Sequence, residues 1–163
     1  MKKLWIILLT LFVFGCSSQP MPKDWHPITT ITERPGIPSV SDGTITTVSP
    51  YLIVKDIDKF WKDYPLGSAR LEALRRHEVI HAKSQESYGG GKIAWLRRYL
   101  FEKKFRWEEE KKGWREEILH LKNTGHGLNI DAIAEALSGK GYSNMVSFAE
   151  ARRWVMDVIA GRA

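Results

Sequence analysis

Residues His77, Glu78, Val79, Ile80 and His81 form an H-E-x-x-H run inside a stretch, residues 65–88, that otherwise reads as helix. No other feature constrains the chain so tightly. On a helix, residues four apart lie one above the other, so the two imidazoles reach one ion while Glu78, a fraction of a turn round, faces a water on it. Such a site wants three protein ligands and one open position for water, so a third ligand has to come from elsewhere in the chain.

A second long helix, expected over residues 93–122, supplies a candidate. Leu96, Leu100, Trp107, Trp114, Ile118 and Leu121 fall on one stripe at three- and four-residue steps, with Glu110 in its middle. Lys103 shares the stripe, whereas Glu108 and Glu109 point to other faces. A carboxylate on an apolar face is costly unless paired or metal-bound, which singles out Glu110 among the neighbouring acids. The rest of the mixed-charge run, with Arg106, Glu108, Glu109, Lys111, Lys112 and Glu116, reads as a solvated helix face. His120 faces away from the Glu110 stripe, and His26, before Pro27, is expected at the surface.

The pairing of H-E-x-x-H with a downstream helical glutamate resembles the gluzincin branch of zinc metallopeptidases. More narrowly, the stretch from His77 to Gln85, then Glu110, Gly113, Trp114 and Arg115, is similar to small bacterial and phage zincin-like proteins. Those carry H-E-x-x-H-x-x-x-Q, then E-x-E-A-Y-R, then a short helical tail, matched here by residues 134–150. Lys112, Gly113 and Trp114 depart from that pattern, standing where the second acid, the alanine and the tyrosine would be.

The resemblance implies a Zn2+ ion held by His77, His81 and Glu110, with Glu78 as general base. It implies an edge strand above the metal, for which residues 44–54 are the candidate. His126 and Tyr142 are the loop residues of the type that stabilises an oxyanion. Gln85, Ser84 and Asp131 are unranked candidates for holding the imidazole tautomers.

Around this site the sequence organises an α+β domain, mainly helical, with a small N-terminal β-element, over residues 37–163. Asp42-Gly43 is a hairpin signal between residues 37–41 and residues 44–54, with Pro50 demoting part of the latter to an edge or bulged strand. A short helix or turn is expected at residues 56–64, and Pro65 can open the next helix. Gly89, Gly90 and Gly91 end that helix, and Asn123, Thr124 and Gly125 end the following one. Residues 131–137 form a short helix, and Ser147 with Glu150 is a capping box that launches a last helix through Ile159.

The chain of 163 residues supports one such domain, preceded by something else. Met1, Lys2 and Lys3 are a basic lead, and residues 4–15 are an apolar run of about a dozen, roughly 18 Å as helix, short of the ~30 Å bilayer core. Residues 1–15 read as an export signal. Cys16, the single cysteine, follows Gly15 and precedes Ser17 and Ser18, which resembles the lipobox of bacterial lipoproteins, with Phe14 as the departure. That resemblance implies lipidation of Cys16 and, through Ser17, the outer membrane where the organism has one. One cysteine excludes a disulfide framework.

Residues 16–36, with Pro20, Pro22, Pro27 and Pro35, read as a tether with an irregular lead-in. Loss of residues 1–15 removes two lysines and takes the formal net charge from +6 to +4. The balance suits anionic headgroups or cell-wall polymers, and no aromatic-interleaved basic stretch argues for nucleic acid.

The expected function is a lipid-anchored zinc metallopeptidase that cleaves a peptide or amide bond in protein or in cell-wall peptide. The alternative is an envelope lipoprotein that keeps the scaffold as a non-catalytic binding or assembly module. A third reading, a chance H-E-x-x-H in a helical lipoprotein, predicts no stoichiometric zinc.

Overall fold

The computed structural model describes residues 18–33 and 45–163. The export signal, Cys16 and the Asp42-Gly43 hairpin expected from the sequence lie outside the described residues. The architecture is α+β: a small mixed sheet at the N-terminal side and six helices after it.

Strands β1 (Ser18–Pro20), β2 (Thr30–Glu33), β3 (Ile45–Val48) and β4 (Tyr51–Val54) lie in the order β1-β2-β4-β3, with β2 parallel to β4 and the other pairs antiparallel. Residues 44–54 are therefore not one strand. Val48 pairs with Tyr51, and the chain reverses at Ser49-Pro50, so β3 is the edge and β4 is interior. Proline sits where its missing N–H is harmless, in the turn rather than in the ladder.

The sequence between Ser17 and Gly36 is less of a tether than its prolines suggest. It contributes two strands and a single 3-10 turn (Lys23–Trp25), and it buries Trp25, Ile28 and Ile31 almost completely. The folded domain thus begins upstream of residue 37, because the apolar residues spaced among those prolines fill the core under the sheet.

Helix α1 (Ile57–Asp63) is capped by Asp56, whose carboxylate accepts from the Lys59 N–H at 2.7 Å. Helix α2 (Ala69–Ser87) starts later than Pro65 allows. Gly67, at φ +77°, turns the chain, and the Ser68 hydroxyl then accepts the Leu71 N–H at 3.1 Å. A side-chain acceptor for an orphan amide outweighs proline's preference for a first turn.

The single long helix expected over residues 93–122 is two. Helix α3 (Gly91–Phe101) ends at Glu102, which is extended (φ −110°, ψ 101°), and α4 (Lys103–Asn123) begins at once. Gly125 (φ +71°) follows the end of α4. Helices α5 (Ile130–Ser138) and α6 (Phe148–Ile159) are capped by Asn129 and Ser147, as expected from the capping box at Ser147.

Two apolar clusters hold these elements. One joins the sheet to α1 and α2 through Trp25, Ile31, Leu52, Phe60, Leu74 and Val79. The other joins α4 to α5 and α6 through Trp107, Ile118, Leu137, Ala151 and Val155. Helices α2 and α4 pack antiparallel between them, and the H-E-x-x-H run lies on that seam. Trp25→Ala should therefore cost about 3–5 kcal/mol in urea unfolding, as a large core truncation does. A change within about 0.5 kcal/mol is what a tether residue would give.

Candidate metal centre

Four positions of α2 face inward at helical spacing: His77, Glu78, His81 and Gln85, each no more than 7% exposed. From α4, Glu110 enters the same layer at 1% exposure. The two imidazole Nε2 atoms lie 3.0 Å apart, and each lies 3.4 Å from a carboxylate oxygen of Glu110. Two donors about 2.05 Å from a tetrahedral ion lie roughly 3.3 Å from each other. His77, His81 and Glu110, with donor atoms all within 4.8 Å of one another, thus form a buried cluster able to hold a metal ion.

The surroundings fit that reading. Glu110 Oε2 is buried without a hydrogen-bond donor, an orphaned anionic oxygen of the kind a cation satisfies. Glu110 Oε1 accepts from the Tyr99 hydroxyl. His77 Nδ1 lies 2.9 Å from Glu117 Oε2, the partner that directs Nε2 toward an ion. Gly113 makes the approach of α4 feasible: a Cβ there would meet His77 Cδ2 at 2.5 Å and Nε2 at 2.7 Å. Trp114, next in the chain, sets its ring edge-on to His77 with centroids 5.3 Å apart.

A cleft of about 70 Å³ opens over the cluster. Its walls are β3 (Ile45 to Thr47), the α3 side chains Trp95, Leu96, Tyr99 and Leu100, and the turn at Gly141 and Tyr142. Glu78 lies in it, its Oε2 accepting from the Thr47 hydroxyl at 2.7 Å.

The electrostatics follow from burial and neighbours. Burial alone would pull the His77 pKa down, but Glu110 and Glu117 outweigh it and hold the imidazole well above its usual value. Burial would raise Glu110, and the imidazoles of His81 and His77, each 3.4 Å from one of its oxygens, reverse this, holding it below the usual carboxylate range. Burial, then Glu110, push the Tyr99 and Tyr142 hydroxyls up, so both stay protonated.

The other residues expected at the site fall as follows. Tyr142 lines the cleft, its hydroxyl accepting from Trp114 Nε1 at 3.2 Å. His126 does not: it is exposed, beside the Thr124 hydroxyl at 3.1 Å, because Gly125 turns the chain outward. Asp131 is exposed and pairs with Arg152, and Ser84 lines a separate groove with Lys83 and Lys112. Gln85 is buried but orients no imidazole. Its amide donates to the Thr47 carbonyl at 2.8 Å and accepts from the Ser49 N–H at 2.9 Å, locking β3 to α2.

Arg106 and Glu109 are not solvated. Glu109 is 4% exposed and meets Lys112, while Arg106 is 2% exposed and donates to the carbonyls of Tyr99, Leu100 and Tyr142. Residue pattern missed Glu117, Tyr99 and Thr47. Glu117 was within reach of it, two turns after Glu110 on the same face. Tyr99 was not, because its position depends on the break at Glu102.

No protein-family model, curated protein or solved structure matches the chain.

Wild-type protein should bind one divalent metal ion per chain by elemental analysis. Glu110→Ala should lose it, and Gly113→Ala should weaken binding by about 10- to 100-fold while the far-ultraviolet spectrum is kept. Full binding by Gly113→Ala would show that the close approach to His77 is dispensable.

Proton linkage gives a second outcome. The lowered Glu110 contributes stability above its usual value of 4.5 and loses it as pH falls. The raised His77 contributes below its usual value of 6.5 and loses it as pH rises through the folded value. From these two groups, metal-free protein should be most stable between those limits. Saturating metal, which displaces the His77 proton, should extend stability to higher pH; thermal melts across pH with and without chelator read both.

Proposed function

We propose that the chain is a zinc metallopeptidase with a gluzincin-like site, held at the bacterial cell envelope by a lipid on Cys16. The observation that carries the hydrolytic reading is Glu78, an acid that is no ligand, set by Thr47 in the same cleft as the three-donor cluster.

Bound zinc supplies a Lewis acid and lowers the pKa of water from ~15.7 to about 7. His77 and His81 offer neutral Nε2 atoms, and Glu117 keeps the His77 proton on Nδ1. Glu110 contributes one carboxylate oxygen and is steadied by Tyr99. Glu78, with Oε2 engaged by Thr47, takes a proton on Oε1 as water attacks a carbonyl and returns it to the leaving amine. Tyr142, protonated and in the cleft, is the donor for charge that develops on the carbonyl oxygen. The edge strand β3, apart from the Thr47 carbonyl that Gln85 takes, offers its outer backbone groups to an extended peptide beside Glu78. The substrate class is a peptide or amide bond, in protein or in cell-wall peptide.

A second reading, a metal-bearing binding module, is favoured by the small cleft, whose volume of about 70 Å³ is that of a few waters. Glu78→Gln separates the two. It should keep metal and melting temperature while turnover of a peptide library falls by about 10²- to 10⁴-fold. Metal-loaded wild type without turnover supports the module.

A further inference from the structure

Helix α3 differs from its neighbours in what it leaves uncovered. Its inner face carries Trp95, the one buried side chain of the helix, stacked on Tyr99 with centroids 4.9 Å apart, and both rings meet His81 edge-on. Its outer face carries Ile93 at 84% exposure, Phe101 at 80% and Leu100 at 40%. With half-buried Leu96, these fall within an arc of roughly 140° at 100° per residue. Leu96 and Leu100 also line the cleft, so the apolar arc runs on to its mouth.

The charge on this face has one sign. Arg97 lies within the arc, Lys103 and Lys104 follow it as the first residues of α4, and all three are exposed. Among the described residues no carboxylate pairs with any of them, while Glu102 is taken by Arg98 at 2.9 Å and Glu86 lies 3.9 Å from Lys92. Large exposed apolar groups beside Arg97, Lys104 and Lys103, the last bonded to the Asn144 carbonyl at 3.2 Å, match a surface that offers acyl chains and phosphates together. A second copy of the chain would bring like charges face to face, which disfavours it as the occupant. Among the described residues no helix is long and apolar enough to cross a membrane, so contact is in the plane of the surface.

We infer that α3 docks on an anionic lipid bilayer. Ile93, Leu100 and Phe101 enter the boundary between headgroups and acyl chains, and Arg97, Lys103 and Lys104 lie among the phosphates. The mouth of the metal cleft is thereby set against the membrane, and the substrate it meets is one presented at that surface.

The test uses the full chain carrying Cys16→Ser, with one new cysteine at Phe101→Cys or Ile93→Cys labelled with nitrobenzoxadiazole. A label at Asp58→Cys, on the exposed side of α1, is the control. Vesicles contain three parts phosphatidylcholine to one of phosphatidylglycerol, with and without brominated acyl chains. Because each label reports its own depth, whatever else holds the chain on the vesicle does not enter.

On anionic vesicles the α3 labels should shift to the blue and be quenched by bromine, and the α1 label should do neither. Arg97→Gln with Lys103→Gln and Lys104→Gln should abolish most of the quenching. Water-like emission from vesicle-bound α3 labels overturns the proposal. So does an equal response on phosphatidylcholine alone, or a concentration-dependent shift without vesicles, which would mean a second copy covers the face. None of these readouts involves the metal or Glu78, so the docking and the hydrolytic reading fail separately.

Discussion

The approach of α4 to α2 at Gly113 is the constraint on which the rest of the molecule depends. Glu110 reaches both imidazoles only because the helix backbones come close enough to leave no room for a Cβ against the His77 ring. A seam that close leaves little room for apolar filling beyond the Trp114 ring against His77. The two hydrophobic clusters, one on the sheet side of α2 and one on the α5–α6 side of α4, supply the burial that holds the helices together around a polar layer. The layer sits between the two cores and belongs to neither.

The walls of the cleft are an edge strand, the last turns of a helix and a loop turn, and each is fastened by one buried polar side chain from a helix. Gln85 satisfies the Thr47 carbonyl and the Ser49 N–H, groups that the edge of β3 would otherwise leave open, and so aims the Thr47 hydroxyl at Glu78. Arg106 does the same on the other side. Its guanidinium takes the carbonyls of Tyr99 and Leu100 at the end of α3 and that of Tyr142 in the turn before α6. The orphan carbonyls that a helix end leaves behind are thereby satisfied, and both tyrosines are positioned by one residue. Losing either fastening would leave buried backbone groups unpaired, so the geometry of the walls and the stability of the domain are coupled.

Local chemistry was legible where it decides the outcome. The phase of His77, Glu78 and His81 is set by helix geometry alone, and the caps at Asn129 and Ser147 act within four residues. Glu110 was legible through the apolar neighbours Trp107, Trp114 and Ile118, although Leu96 and Leu100, placed on the same stripe, belong to a different helix. The break at Glu102 has no glycine or proline to announce it; Arg106 and the packing of Trp95 and Tyr99 make it, and those contacts are not local. The strands at Ser18 and Thr30 were hidden for a related reason. Their residues look like linker until Trp25 and Ile31 find the sheet and α2. Arg106 and Glu109 carry charges that argue for solvent, and only their partners reverse that.

The polar layer also argues about its own occupant. Glu78, Glu110 and Glu117 all face it, and among the described residues no lysine or arginine pairs with any of the three. The groups that answer them are two imidazoles, one hydroxyl from Thr47 and one from Tyr99. With both imidazoles neutral the layer carries three uncompensated negative charges, and protonating His77 removes one of them at the expense of a ligand nitrogen. Two buried carboxylates and a half-buried third are stable when a cation sits among them. A divalent ion held by His77, His81 and Glu110 would offset two charges and would leave both imidazoles neutral. The remaining charge is then shared between Glu117, engaged by the His77 Nδ1–H, and Glu78, which is left with one oxygen free. An acid with that free oxygen, beside the donor cluster and not part of it, is what the proposed proton transfer from a water requires.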